Sequence, residues 1–338
     1  MTVVWVIVLF VAVAAAHWGA EHLSAPLKKL RKQWGISVAA GGALVGLATA
    51  SPELGINISS ALRGVSEIGL GAMLGANIIA LPMLVLVAYV ATRTSKMPDD
   101  HDNHRAHLDK HLLPVDSTAV GVQVLPYLGI LVLFALLTMP SSWRGLQPID
   151  GWIMLAAYGI YLAQALLRNR ASGQDVEWTR KEFLMAVAGV FVLAIGAFFT
   201  VMSTQNIATA IGISKAVGGL FITAPFAALP EIFATWKISR SGQVTSAVTS
   251  VIGDYAVTMT IAVFPLAMIG LEIKDFRLYC INLAFLILLP AMYGWFIFRS
   301  EDESGISRRQ VGALAVVYVL YVCIAAAYLV YSGGSVRN

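Results

Sequence analysis

The chain reads as an all-α polytopic membrane protein, with ten transmembrane helices arranged as two inverted five-helix repeats and with helices two and seven broken. Three observations lead there. The 338 residues are 58% hydrophobic and only 12% charged, with mean hydropathy +0.76, whereas a soluble chain carries about twice that charge fraction. Apolar runs of about 20 residues, long enough to cross a bilayer, recur along the whole length. Two stretches half a chain apart look like copies, each with a Pro-Glu pair in apolar surroundings: Pro52-Glu53 and Pro230-Glu231.

The runs fall at residues 2–22, 36–63, 66–91, 118–138, 148–167, 183–202, 215–237, 244–270, 276–298 and 309–332. The first is expected to be a retained helix and not a cleaved signal, because no basic residue precedes Val3 and no small-residue cleavage site leads into a soluble domain. Proline removes a backbone donor, so Pro52 breaks segment two and Pro225 with Pro230 breaks segment seven. The two longest connections are Thr92–Asp116 and Asn169–Lys181. The second divides the chain into a first repeat, residues 1–168, a cytoplasmic linker, 169–181, and a second repeat, 182–338.

Lys and Arg count 17 after odd-numbered segments and 6 elsewhere. The positive-inside rule then sets both termini outside the cytoplasm of an integral protein, expected in a prokaryotic inner membrane. Five spans per half is odd, so the second half enters from the opposite side and the repeats are inverted.

Composition also excludes. The net charge of +4 sits in short clusters between apolar runs, a topology signal and not a nucleic-acid footprint. Cys280 and Cys323 both lie inside apolar segments, with no CxxC motif or disulfide framework. No GxxxxGK[ST] motif is present, which disfavours an ATP-driven pump. No cofactor is called for, and the partners are inorganic cations and the lipid bilayer.

A carboxylate in hydrocarbon is costly and marks function by default. Glu53 and Glu231 are therefore the first candidates, facing one another across a pseudo-two-fold. Proline beside each frees backbone carbonyls in mid-membrane, tolerable where they line a cavity. Two carboxylates plus carbonyls make an all-oxygen site suited to Ca2+ or Na+. The same groups can instead carry protons, since burial disfavours the charged form. Asp254 is the third acid, and Ala76 stands at its equivalent in the first half. Thr49 lies one turn before Glu53 and Thr258 one turn after Asp254, so both can face the same cavity. Asn57, Asn77, Ser51, Thr223, Thr235 and Ser250 are nearby polar positions, of a kind common between membrane helices.

Two other clusters read as structural. His101, His104, His107 and His111 share a polar connection; if helical they line one face that can bind a metal or sense pH, but a solvated loop explains them. His17, Glu21 and His22 sit at the cytoplasmic end of the first helix, where polar heads reach water. An intramembrane aspartyl protease needs a second aspartate beside Asp254, and Asp150 lies at the edge of segment five. A cation channel needs no inverted repeat. The chain is read as a duplicated transporter with its site at the repeat interface, and not an enzyme.

The repeated stretches resemble the alpha repeats of the calcium/cation antiporter superfamily, which includes the sodium/calcium exchangers. The family pattern is Gly-Thr-Ser-Leu-Pro-Glu, then Gly-Asn-Val-Ile-Gly-Ser-Asn-Ile-Phe-Asn. Here the first repeat reads Ala48-Thr49-Ala50-Ser51-Pro52-Glu53, then Gly71 to Ala80; the second reads Phe226-Ala227-Ala228-Leu229-Pro230-Glu231, then Thr249 to Thr258. The resemblance implies cation exchange by alternating access, most simply Ca2+ for Na+ or H+. It assigns Glu53 and Glu231 to the central cation and makes Thr49 the threonine before the first glutamate. The chain departs from the pattern at Ala76, Ala80, Ala227 and Ala228, which lack side-chain oxygens, and at Asp254, which adds a carboxyl. That exchange opens proton coupling as an alternative, with another cation as cargo.

Overall fold

Helix follows the apolar runs. The computed structural model describes residues 2–35, 46–94, 108–115, 117–140, 142, 144–168, 173, 175–299 and 305–332. In order, α1 is Thr2–Gln33, α2 is Ser51–Leu62 after a helical turn at 46–49, and α3 is Ser66–Thr94. Strand β1, Leu112–Pro114, precedes α4, Ser117–Thr138; β2, Gly145–Leu146, precedes α5, Pro148–Arg168. The second half has α6, Arg180–Ile211, α7, Lys215–Arg240, and α8, Val244–Thr258, followed by a short turn of helix at Phe264–Met268. Strand β3, Leu271–Glu272, α9, Phe276–Phe298, β4, Gly305–Ser307, and α10, Arg308–Ser332, complete it. Among the described residues, six of these helices are long and apolar enough to cross a membrane by length and composition: α1, α3, α6, α7, α9 and α10.

The breaks lie partly elsewhere than the prolines suggest. Segment two is interrupted at Ala50, two residues before Pro52. Segment seven is not broken. It runs through a π turn, Gly219–Thr223, in which Ala224 N–H reaches Gly219 O. The wider turn seats Pro225, which has no N–H to give, at the start of the following α-helical stretch. The discontinuity in the second half falls in segment eight, where residues 259–263 turn between Thr258 and Phe264.

The repeat extends to backbone detail. In the register that aligns Glu53 with Glu231, Gly64 falls on Gly242, and both are left-handed, with φ of 65° and 86°. Val65 N–H bonds Ser60 O at 2.9 Å, and Gln243 N–H bonds Ile238 O at 3.3 Å. These are equivalent bonds of the same helix-ending motif, which takes glycine at that position. The packing is reciprocal too. Gly46 meets Gly253 of α8, where an added Cβ would sit 3.1 Å from its carbonyl; Gly75 of α3 meets Ala224, where an added Cβ would sit 2.6 Å away. Gly46 corresponds to Ala224 and Gly75 to Gly253, so each contact is the other with its partners exchanged, as a two-fold requires.

Helices α1 and α6 run antiparallel. Gly196 lies against Ala12 and Ala16, Gly19 against Gly189 and Leu193, and Lys29 pairs with Glu182. Small residues allow that approach in a membrane. The core fills the space among α3, α4, α8 and α9, with Ile78, Leu84, Val248, Ile252, Leu289 and Tyr293 buried.

The connections meet in two groups. β1 pairs antiparallel with β4, Leu113 opposite Ile306, and Lys29 Nζ donates to Glu177 O at 2.8 Å. These join the odd-numbered connections. β2 pairs with β3, Leu146 opposite Leu271; Arg63 donates to Gln205 Oε1 at 3.0 Å, and Lys274 pairs with Glu67 at 2.7 Å. These join the even-numbered ones.

Candidate functional site

Pro52 starts α2 and cannot donate to Ala48, four residues back. Ser51 Oγ donates to that carbonyl instead, at 2.6 Å. The expectation that the proline leaves an open carbonyl here is corrected: the preceding serine satisfies it. The same turn presents Glu53, 5% exposed, to the interior. Glu231 follows Pro230 within α7 and is half-buried. Asp254 follows Gly253 in α8 and is buried. The approach of Gly46 to Gly253 brings segment two against α8 about two turns before Glu53, and Thr49 adjoins the Asp254 carboxyl.

The three acids interact. Asp254 acts electrostatically on Glu53 and on Glu231, Glu53 acts on Glu231, and the Glu231 and Asp254 carboxyls lie within hydrogen-bonding reach. Two carboxyls bond one another only through a proton, since ionised ones are acceptors alone. Glu53 Oε2 and Asp254 Oδ1 are buried with no protein partner. Among the described residues, no three Asp, Glu, His or Cys side chains are arranged to hold a metal ion. The acids are neighbours in charge without forming a closed carboxylate cage.

The hydroxyl candidates diverge. Thr258 is buried, and its Oγ1 donates to Asp254 O at 3.0 Å, within its own helix. Thr49 is exposed, and its Oγ1 donates to Gly46 O at 3.2 Å. Asn57 is buried and ties α2 to the turn after α8 through Ala262 O at 2.6 Å. Thr223, in the π turn, pairs with Thr204 of α6 at 2.6 Å. Asp150 accepts from Gln147 N–H at 2.7 Å at the start of α5, far in sequence from Asp254 and occupied as a helix cap. His101, His104 and His107 and the side chain of Ser250 lie outside the described residues. His17 is half-buried: its Nδ1 lies 3.0 Å from Val13 O, and the ring reaches Ala227 O of α7. It packs between α1 and α7.

Two aromatic residues escape a reading based on charge. Tyr255 and Tyr127 are buried beside the acids, their ring centroids 5.8 Å apart. The signal for Tyr255 is its register: it occupies the position of Asn77 in the first repeat.

Buried acids on matched helices of a repeated apolar bundle are an arrangement suited to moving cations. The chain belongs to the sodium/calcium exchanger protein family, whose model matches residues 4–167 and 181–327. Among solved structures it resembles the sodium-calcium exchanger NCX_Mj soaked with 2.5 mM Na+ and 10 mM Sr2+, at 18% identity and TM-score 0.61, covering 97% of this chain and 99% of that one. It also resembles the H+/Ca2+ exchanger CAX, at 15% identity and TM-score 0.68, covering 98% of this chain and 85% of that one. At these identities the likeness carries the fold. No curated protein matches.

Proposed function

We propose that the protein exchanges Ca2+ for Na+ or H+ across the membrane by alternating access, at one site built from both repeats. The observation that carries this reading is the electrostatic contact of Glu53, Glu231 and Asp254, brought from α2, α7 and α8. A hard divalent cation takes oxygen ligands, and these acids supply them with the charge to offset it. Thr49 and Thr258 are assigned to the same site, Thr49 beside Asp254 and Thr258 one turn beyond it.

The architecture behind this reading is ten spans in two inverted repeats, 1–168 and 182–338, in a prokaryotic inner membrane with both termini outside the cytoplasm. It is supported by three features. The antiparallel course of α1 and α6 is what inversion asks of the first helices of two repeats. The reciprocal contacts of Gly46 with Gly253 and of Gly75 with Ala224 are what a pseudo-two-fold between the halves asks for. The segregation of contacts into odd and even connections is what ten crossings produce; one missing crossing would mix the groups.

Proton coupling is the second reading, favoured by the adjacency of Glu231 and Asp254. Two carboxyls that share a proton when no cation is bound, and part with it when one binds, couple the two ions. The test is Ca2+ uptake into proteoliposomes under separately imposed Na+ and H+ gradients. Uptake driven by either gradient supports exchange. Ca2+ flux that needs no counter-ion gradient and carries net current as a channel does overturns it.

A further inference from the structure

We infer that the Tyr255 hydroxyl is a ligating group of the cation site, giving a hard divalent cation a neutral oxygen beside the three carboxyls. The inference rests on the exchange reading above. Tyr255 is 3% exposed, and its hydroxyl has no protein partner. The groups that act on it electrostatically are Glu231, Tyr127, Asp254 and Glu53. All three acids are among them.

Neighbouring contacts hold the ring and leave its oxygen uncommitted. Tyr127 packs against it, ring centroids 5.8 Å apart and planes tilted by 43°. The Tyr127 hydroxyl is itself occupied, donating to Asn77 Oδ1 at 3.2 Å, while Asn77 Nδ2 donates to Met73 O at 2.8 Å. One tyrosine of the pair is thus an anchor and the other presents an unused hydroxyl. A buried hydroxyl without a partner is costly and calls for an explanation. Here the other unpartnered buried oxygens of the cluster are Glu53 Oε2 and Asp254 Oδ1.

The chemistry fits both halves of a transport cycle. A phenol donates to a carboxylate and also offers lone pairs, so it turns from one to the other as a cation arrives. Among the described residues the carboxyls do not close a metal site by themselves, so a neutral oxygen beside them has a place in it. Ala227 and Ala228 bring none from their side chains, and Thr258, whose proton goes to Asp254 O, offers only its lone pairs, so Tyr255 adds to a short set of neutral oxygens. Tyr255 also makes the site unequal in its two halves, with a phenol where the first repeat has the Asn77 amide.

The experiment is equilibrium binding of radioactive Ca2+ to the purified full chain in detergent, for wild type, Tyr255→Phe and Tyr293→Phe. Tyr293 is the control: its hydroxyl is equally buried and unpartnered, but no acid acts on it. Tyr255→Phe is expected to weaken Ca2+ binding about tenfold, the effect of losing one charge-assisted contact. Tyr293→Phe is expected to bind as wild type, and all three are expected to share one elution volume. Equal affinity in wild type and Tyr255→Phe overturns the ligand role and leaves the exchange reading standing. An equal loss in both variants also overturns it, because the effect is then one of packing. A wild type that binds no Ca2+ overturns the exchange reading and this inference together.

Discussion

At Asp254 the two coupling readings part. Its carboxyl adjoins Thr49 and Glu231, and it stands where the first repeat has Ala76. If it carries the proton, Asp254→Asn removes Ca2+ uptake driven by a pH gradient in sodium-free buffer, while uptake driven by sodium falls only as far as the loss of one charge from the cation site requires, since the amide keeps a ligating oxygen. Uptake that requires sodium, ignores the pH gradient and survives the substitution refutes that role. Ser51 gives a second test at this scale. Ser51→Ala leaves the Ala48 carbonyl without its bond, at a cost of about 1–3 kcal/mol for a buried acceptor. The expected result is a lower melting temperature in detergent with unchanged ion selectivity; an unchanged melting temperature would mean that water or another group replaces the serine. The acids were legible because a charge in an apolar run stands out. Tyr255 and Tyr127 were not, because an aromatic ring in such a run reads as core until its hydroxyl is located. Ser51 was named only as a nearby polar position, since its role appears once the proline's missing donor is followed to a particular carbonyl.

Among the elements, the close approaches constrain sequence most. A side chain at Gly75 would meet Ala224 Cβ at 2.6 Å and Leu220 O at 2.8 Å, the latter in the π turn of α7. Overpacking of this kind costs about 1–3 kcal/mol or more. Gly75→Leu is therefore expected to lower folded yield and melting temperature sharply. Gly64→Ala meets nothing within 4 Å and carries only the strain of its left-handed φ, 65°, about 1 kcal/mol. Comparable losses in the two variants would contradict the packing account. Helix existence was legible in the apolar runs, but break position was not. A proline can be absorbed by a π turn, as Pro225 is, or seated in the first turn of a new helix, as Pro52 is. Which occurs is decided by what packs against the segment. The turn at 259–263 has no proline to announce it; Pro265 follows it.

For the whole molecule, the proposed topology is tested by labelling from one side of the membrane. Lys274 belongs to the even-numbered connections and Asp109 to the odd. With Cys280 and Cys323 first replaced by alanine, Lys274→Cys is expected to react with an impermeant maleimide in intact cells. Asp109→Cys is expected to react only after permeabilisation. The reverse pattern would invert the molecule, and labelling of both from one side would remove a crossing. At this level the apolar helices and the two repeated stretches were legible, because hydropathy and the matched Pro-Glu pairs are written in the chain itself. The reciprocal contacts between the two halves were not, since Gly46 and Gly253 are common residues until they touch.

The central claim is that one site takes an essential carboxyl from each repeat. It is tested by Ca2+ exchange in proteoliposomes, comparing wild type with Glu53→Gln and with Glu231→Gln. Each substitution keeps side-chain volume and removes one ionisable carboxyl from the acidic cluster. The account predicts loss of exchange in both variants, by about a hundredfold or more if a charged ligand is removed from a buried site, with expression and elution volume unchanged. Near-normal exchange in either one would contradict it.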